Sequence, residues 1–412
     1  MRIAIIGGGA AGLVTAHLLD GEHEVTVYEK EAILGGHVRT LGLNVEAPEG
    51  VPHALDAGVI EFDSELFPLV RRLFQRLDAT VEPVPATTTL FLKNGRRLLA
   101  PGAIARAKLS WADRLGAWAT AVVFQRARRH FLKRTDVDID ELHQHPFGDF
   151  LGVGPYRRWL ELLTMYAYST PLEQVADMSA ALVVPMLRSF VRAESWFRVE
   201  GGVYTYMQHL VDRLRGEAHT SVRVAAVERV SGGVAVELGD GARSIFDAVV
   251  FAVPPGEVLP MLADTSPDER RRLGPWRSRQ VRTFVHHDEG IYRRRGASFA
   301  TEFDVFELPG GRGGYNALLN LLCGVPQSDG RSFGLAFGIE NEIDPDTIVH
   351  VQEHCVPAFT VDSLQSREEI KATNGERGVW YAGAWLGNGL HEGAVASAEA
   401  VSRSLGGALL SG

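Results

Sequence analysis

Gly7, Gly9 and Gly12 stand at the spacing Gly-x-Gly-x-x-Gly, and Glu29 follows Gly12 by 17 residues. That pattern suits the holding of a dinucleotide. The first glycine makes a strand-to-helix turn, the second lets backbone approach a pyrophosphate, and the third lets helix and strand pack closely. Ala11 lies inside the motif, where a helix N-terminus offers unpaired N–H groups and a positive dipole end to phosphate. Glu29, with Lys30 beside it, is placed to accept hydrogen bonds from an adenosine ribose. An acid there disfavours a 2′-phosphate, so FAD or NAD is expected rather than NADP. Gly35-Gly36-His37-Val38-Arg39 follows within a few residues, a second glycine pair with basic groups beside it.

These residues need particular elements to position them. Residues 2–6 (Arg-Ile-Ala-Ile-Ile) read as a short buried strand, followed by a helix to about Asp20 and a second strand from Val25 to Glu29. This is a β-α-β unit of about 30 residues. From about residue 86 to 200 the pattern turns helical, over 103–134, 138–165 and 179–192, with breaks expected at Pro146, Pro155, Pro171 and Pro185. A helix is expected from Gly201-Gly202 to about Arg215, then strands at 222–224, 234–238 and 248–253. Residues 266–370 alternate strand-like runs, such as 281–286 and 333–339, with loops. A last strand at 379–382 and a last helix at 393–405 close the chain. The expected fold class is α/β, with a discontinuous dinucleotide-binding domain (1–85, 200–265 and 371–412). A second domain is inserted in two pieces (86–199 and 266–370).

Composition narrows the function classes. Apolar residues are 45% and charged residues 23% of the chain, an ordinary globular balance. The formal net charge of −9 argues against nucleic acid as a partner. Cys323 and Cys355 are the two cysteines, so neither a disulfide framework nor a Cys-rich metal site is expected, and a reducing compartment is. The apolar run at 3–6 is too short for a signal-peptide core, and no apolar run approaches the ~18 residues of a spanning helix. A soluble, cytoplasmic protein is expected. His286-His287-Asp288 suggests a metal at first sight, but adjacent strand residues point to opposite faces, so no metal is expected. Arg126 to Arg134 is a basic patch after an apolar, Trp-containing stretch. It reads as a solvated helix face or as a peripheral contact with an anionic membrane. Nothing fixes the oligomeric state.

Several further segments resemble one superfamily, that of the flavin amine oxidases, phytoene desaturases and protoporphyrinogen oxidases. Gly35-Gly36 resembles the Gly-Gly motif of FAD proteins, and Leu55-Asp56-Ala57-Gly58 resembles the superfamily's Asp-x-Gly strand beside the flavin. Gly201-Gly202 resembles its second Gly-Gly element, and Val222 to Val227 the strand whose valine backbone meets adenine. Trp380-Tyr381-Ala382-Gly383-Ala384-Trp385, with Gly393-Ala394 and Ser397-Ala398, resembles its C-terminal flavin motif. The resemblance implies a Rossmann-like FAD domain capped by a mixed α+β substrate domain, with FAD held non-covalently. It implies cofactor contacts from Gly7, Gly9, Ala11, Gly12, Glu29, Lys30, Gly36, His37, Gly58, Val227, Gly383, Gly393 and Ala394.

Trp196 before Gly201-Gly202, Tyr206 after it, and His391-Glu392 downstream of Gly383-Ala384-Trp385 are similar to a bacterial group of NAD/FAD-binding proteins. Members are often encoded near cyclopropane-fatty-acid synthases, which implies lipid-like substrates. Two departures stand out. The acid that usually follows the glycine of the C-terminal motif is Ala384, and the lysine that many amine oxidases place near flavin N5 is matched to Gln280. No lysine lies between Lys133 and Lys371.

His391, Glu392 and Trp385 are the catalytic candidates. His391 is read as a general acid or base, or as an imidazolium beside reduced flavin. The alternative for His391 and Glu392 is helix capping and packing, and for Trp385 a place in the core. Tyr166 and Tyr168 either line the substrate pocket or are core, and Tyr315 and Asn316 lie on a strand whose facing is open. The expected activity is FAD-dependent dehydrogenation of an apolar small molecule to give a C=C bond. Amine oxidation and redox-neutral double-bond isomerisation are the alternative reactions, and a non-enzymatic flavin-binding partner protein is the alternative class.

Overall fold

The computed structural model describes residues 1–85, 87–99, 111–190, 195–297, 300–327 and 330–410. The fold is α/β. Strand β1 (Arg2–Ile6) is buried along four of its five residues, as a near-continuous apolar run in a covered parallel sheet must be. It lies between strand β2 (Glu24–Tyr28) and the strand Ala248–Phe251, with parallel pairing on both sides. Glu217–His219 and Val379–Tyr381 extend the sheet to five strands, so its members come from widely separated parts of the chain. Helix α1 (Ala10–Leu19) packs with the last helix, His391–Leu405.

The second large sheet has seven strands and is mostly antiparallel. Its order runs Ile348–Pro357, Ser278–His286, Gly334–Phe337, Gly313–Leu318, Phe303–Glu307, Thr88–Phe91, Arg97–Leu99. A small sheet of Phe62–Asp63, Trp196–Val199 and Val81–Val84 ties the segment after Gly58 to the chain entering the second Gly-Gly element.

Three differences from the sequence reading have physical causes. The helix Ala180–Phe190 runs through Pro185 instead of breaking there. Proline removes one helical hydrogen bond, and the buried apolar residues on both sides, Val184 and Met186 among them, hold the helix in place. Residues 361–372 form a helix where loops and strands were expected, started by the Thr360 side chain, which accepts from Ser363 N–H. Pro267–Leu273 is another such helix, opened by a reciprocal Ser266–Glu269 capping box. Helix Trp111–Arg134 occupies the later part of the expected 103–134 stretch. Residues 103–110 and 191–192 of the expected helices lie outside the described residues. No helix among the described residues is long and apolar enough to cross a membrane.

Candidate cofactor and substrate site

The chain turns sharply from β1 into α1, and Gly12 makes that turn possible. A Cβ on Gly12 would stand 1.9 Å from the Gly7 carbonyl oxygen. Leu13 N–H is the first to bond back, to Gly9 O at 2.9 Å. The N–H groups of the first turn, Ala11 and Gly12 among them, therefore have no intrahelical partner. No side chain caps this end. Gly35 N–H donates to Gly8 O at 2.9 Å, which lays the second glycine pair against the first. A Cβ on Gly9 would sit 3.5 Å from Gly36 Cα, filling the groove between the two turns.

Glu29 is buried, and its carboxylate accepts from Gly8 N–H at 2.7 Å and Glu31 N–H at 2.8 Å. A carboxylate has about four acceptor positions, so Glu29 braces the turn and can still accept from a ribose. Lys30 forms an ion pair with Glu257 at 2.9 Å. Val227 is buried, and its carbonyl accepts from Ala263 N–H at 2.9 Å. The segment that runs beside Glu29 is 219–222: Val222 N–H donates to Glu29 O at 2.8 Å and Glu29 N–H to His219 O at 2.8 Å. Val222 therefore lies beside Glu29, five residues before Val227 in the same valine-rich stretch.

From this cradle the chain runs toward the second sheet. A Cβ on Gly58 would meet the His37 carbonyl at 2.0 Å. His37 Nε2 lies 3.1 Å from Cys355 O, and its ring stands edge-on to His354 at 5.1 Å. Burial drives the His354 imidazole down to about 3, and its Nδ1 is buried without a partner. Thr283 donates to Ala57 O at 2.9 Å. The member of this strand facing Ala57 is therefore Thr283, while Gln280 is exposed. No lysine stands on this strand.

Asp56 is buried, accepts from the Thr40 hydroxyl at 2.5 Å and from Val203 N–H at 3.1 Å, and so fastens the start of the helix Tyr204–Arg213. Burial raises its carboxyl to about 7. Gly383 N–H donates to Ser397 Oγ at 2.8 Å. Gly393 packs on the 384–388 turn, where Asn388 Oδ1 accepts from both Leu390 and Gly393 N–H at 3.0 Å. Ala394 is buried beside it.

The three catalytic candidates have structural surroundings. His391 hydrogen-bonds the Tyr206 hydroxyl through Nε2 and stands edge-on to Phe62 at 5.6 Å. Burial, with His37 adding repulsion, lowers its imidazole to about 4. It is therefore neutral near pH 7 in the protein alone. Glu392 accepts from Leu69 N–H at 2.9 Å and Val70 N–H at 3.0 Å, capping helix α2 (Pro68–Arg76) from a distant part of the chain. The dipole end of α2 explains the choice of an anion there. Trp385 is 2% exposed, edge-on to Trp276 at 5.0 Å, and packs beneath Gly383. His286 uses both ring nitrogens, with Asn316 and with Asp288 N–H, and His287 rests edge-on against Phe333.

Sequence reasoning did not single out Glu61. Its Oε1 accepts from the Tyr166 hydroxyl at 2.5 Å, and its Oε2 is buried with no partner. Burial is the main reason its carboxyl rises to about 7. Phe303 and Tyr315 stand edge-on to Tyr166 at 4.9 and 4.8 Å, and Trp196 packs between Phe303 and Phe190. The available signal was a lone acid in the otherwise apolar run Val59-Ile60-Glu61-Phe62. Tyr168 instead donates to Asn388 O at 3.1 Å and shapes the turn before the last helix.

A parallel sheet ending in a double glycine turn with a buried acid beside it is the arrangement that holds a dinucleotide. The family model of flavin containing amine oxidoreductases matches residues 10–287, and the chain belongs to that family. Its cofactor is FAD, and the groove between Gly9 and Gly36, which a Cβ would fill, fits a pyrophosphate. An uncharacterized protein of Methanocaldococcus jannaschii is 28% identical over 192 residues; the match spans 43% of this chain and 42% of that protein.

Among solved structures, a triple mutant of putrescine oxidase redesigned in cofactor binding shares the fold (TM-score 0.70, 15% identity, 98% of each chain). So does a CLA-producing fatty acid isomerase from P. acnes (TM-score 0.69, 17% identity, 98% of each chain). Cyclohexylamine oxidase from Brevibacterium oxydans is a third (TM-score 0.67, 14% identity, 98% of this chain and 99% of that one).

Proposed function

We propose that the protein dehydrogenates an apolar, lipid-like small molecule. FAD, when bound, supplies the acceptor for a hydride equivalent. The observation that carries this reading is the aromatic wall of Tyr166, Tyr315, Phe303 and Trp196 around one carboxyl–phenol pair. Gln280, matched to the position where many amine oxidases hold a lysine, and the lack of any lysine between Lys133 and Lys371 also favour it over amine oxidation. In this reading residues 1–85, 200–265 and 371–412 carry FAD, and 86–199 with 266–370 cap the substrate.

The chain's own residues have defined tasks. The first turn of α1 offers N–H groups to the pyrophosphate, and Glu29 orients the ribose. The 384–394 turn and its helix direct a positive dipole end toward the ring system. The aromatic wall excludes water and holds the apolar substrate. Exposed Trp118 and Val122, with Arg126, Arg129 and Lys133 on the same helix face, support substrate entry from an anionic membrane surface.

Redox-neutral isomerisation is the second reading, favoured by the fold shared with the fatty acid isomerase. Anaerobic mixing of FAD-loaded protein with fatty-acid, amine and polyene panels tests both. Bleaching of the flavin by apolar compounds supports dehydrogenation, and product without net bleaching supports isomerisation. Bleaching by amines alone overturns the reading.

A further inference from the structure

The segment leaving Gly58 separates two environments. Phe62 faces His391 and the phenylalanines Phe67 and Phe74. Glu61, its neighbour, turns to the opposite side, as alternate residues of an extended strand do. There it meets Tyr166 of the helix Pro155–Tyr168, and through it Tyr315 and Phe303 of the seven-stranded sheet. Glu61 thus sits where the FAD-side chain segment meets the aromatic wall, three residues beyond Gly58 and about 10 Å of extended chain from it.

Its two oxygens differ. Oε1 is fixed by the Tyr166 hydroxyl at 2.5 Å, and Oε2 is buried without a partner. A buried polar atom left unpaired costs about 1–3 kcal/mol and calls for an explanation. No Lys, Arg or His forms an ion pair with Glu61 among the described residues. Arg198, the nearby cation, is paired with Glu82. The other titratable groups facing Glu61 are Asp56, Asp63, Tyr166, Tyr315 and Cys323. None brings a positive charge, so the surroundings favour a carboxyl that gains and loses a proton.

We propose that Glu61, oriented by Tyr166, takes the proton that the substrate loses during dehydrogenation. The proposal rests on the dehydrogenase reading above. Two C–H bonds on adjacent carbons break and the C–C bond between them becomes double. One hydrogen leaves as hydride and reduces FAD, which is the oxidant. The other leaves as a proton and bonds to Glu61 Oε2, converting the carboxylate to the acid. In the isomerase variant the same oxygen returns the proton. A buried carboxyl is suited to this task because its proton affinity lies near the working pH.

The test uses FAD-loaded protein and the variants Glu61→Gln, Glu61→Asp and Tyr166→Phe, with linoleic acid and putrescine as probes. Glutamine keeps an acceptor for the Tyr166 hydroxyl, and FAD content and circular dichroism establish that each variant is folded. Wild-type bleaching by linoleic acid is expected to rise through about pH 7. Glu61→Gln should slow it by about 10²-fold or more and abolish the pH step. Glu61→Asp should keep a step. Tyr166→Phe should move it upward, because the Tyr166 hydrogen bond favours the carboxylate.

A readout without substrate stands beside these. The infrared carboxylic-acid band of wild type should lose intensity through about pH 7, and that component should be missing in Glu61→Gln. A purely structural Glu61 would lower stability but leave the pH profile unchanged, and that result overturns the proposal. A titrating band that survives unchanged in Glu61→Gln overturns it as well. Bleaching by putrescine alone overturns it in favour of a carboxylate that binds ammonium. If neither probe bleaches wild type, the dehydrogenase role of Glu61 falls with the function it rests on. The loss of band amplitude in Glu61→Gln still reports separately whether Glu61 titrates near pH 7 beside Asp56 and Asp304.

Discussion

Replacing His391 by glutamine should change stability and its pH dependence, not catalysis. The imidazole has an ordinary value of 6.5 and is lowered to about 4 in the folded protein. The folded state therefore binds its proton less readily than the unfolded state. Above the unfolded value both states are neutral and the full stability is present. As pH falls below about 6.5, protonation favours the unfolded chain, and the loss levels off below about 4. At about 1.4 kcal/mol per pH unit, the whole gap is worth about 3 kcal/mol, of which about 2 is lost by pH 5. Urea unfolding of wild type and His391→Gln at about pH 7.5 and pH 5 measures this. Buried His354 and His286 contribute equally to both proteins and cancel in the difference. Wild type should lose about 2 kcal/mol more than the variant on acidification. Flavin reduction in the FAD-loaded variant should stay within about threefold of wild type, far from the ~10²-fold of a displaced acid–base group. Parallel stability curves, or a large kinetic defect, would refute the packing role.

Four further outcomes are expected. Gly9→Val should fold, since Gly9 has an extended backbone (φ −81°, ψ −173°), yet lose FAD because the side chain fills the groove toward Gly36; retained FAD would contradict the cradle. Glu392→Ala should cost about 1–2 kcal/mol by uncapping α2, read as a lower urea midpoint with FAD retained. FAD should leave the protein on acid precipitation, because neither cysteine belongs to the C-terminal flavin motif; colour held in the pellet would indicate a covalent bond. Lys93→Met and Lys371→Met should leave the reductive half-reaction unchanged, because no lysine lies between Lys133 and Lys371, and a loss with intact FAD spectra would point to a lysine role at the flavin.

What the sequence made legible was local. The β1-α1-β2 unit is specified by glycines and an acid at fixed offsets, because the turn geometry tolerates few alternatives at Gly12. The last helix was visible in its apolar spacing and the Gly393-Ala394 start. Long-range partnerships were not legible. Glu392 reaches a helix more than 320 positions earlier in the chain, and Tyr166 finds Glu61 across 105 positions. A motif match alone cannot say which valine of a repeated Val-x-Val pattern faces Glu29, and the backbone bonds of Val222 settle that point. Which residue of the strand Ser278–His286 faces Ala57 was likewise not legible, because a slip of an odd number of residues exchanges the two faces of a strand, and the Thr283 hydrogen bond shows it.

The most direct test of the account is the stoichiometry of a single anaerobic turnover. FAD-loaded protein is mixed with an apolar substrate selected by the panel, flavin bleaching is followed to completion, and the product is weighed by mass spectrometry. The account predicts one product molecule, two hydrogens lighter and carrying a new C=C bond, for each FAD reduced. An unchanged product mass, or bleaching that only amines produce, would contradict it.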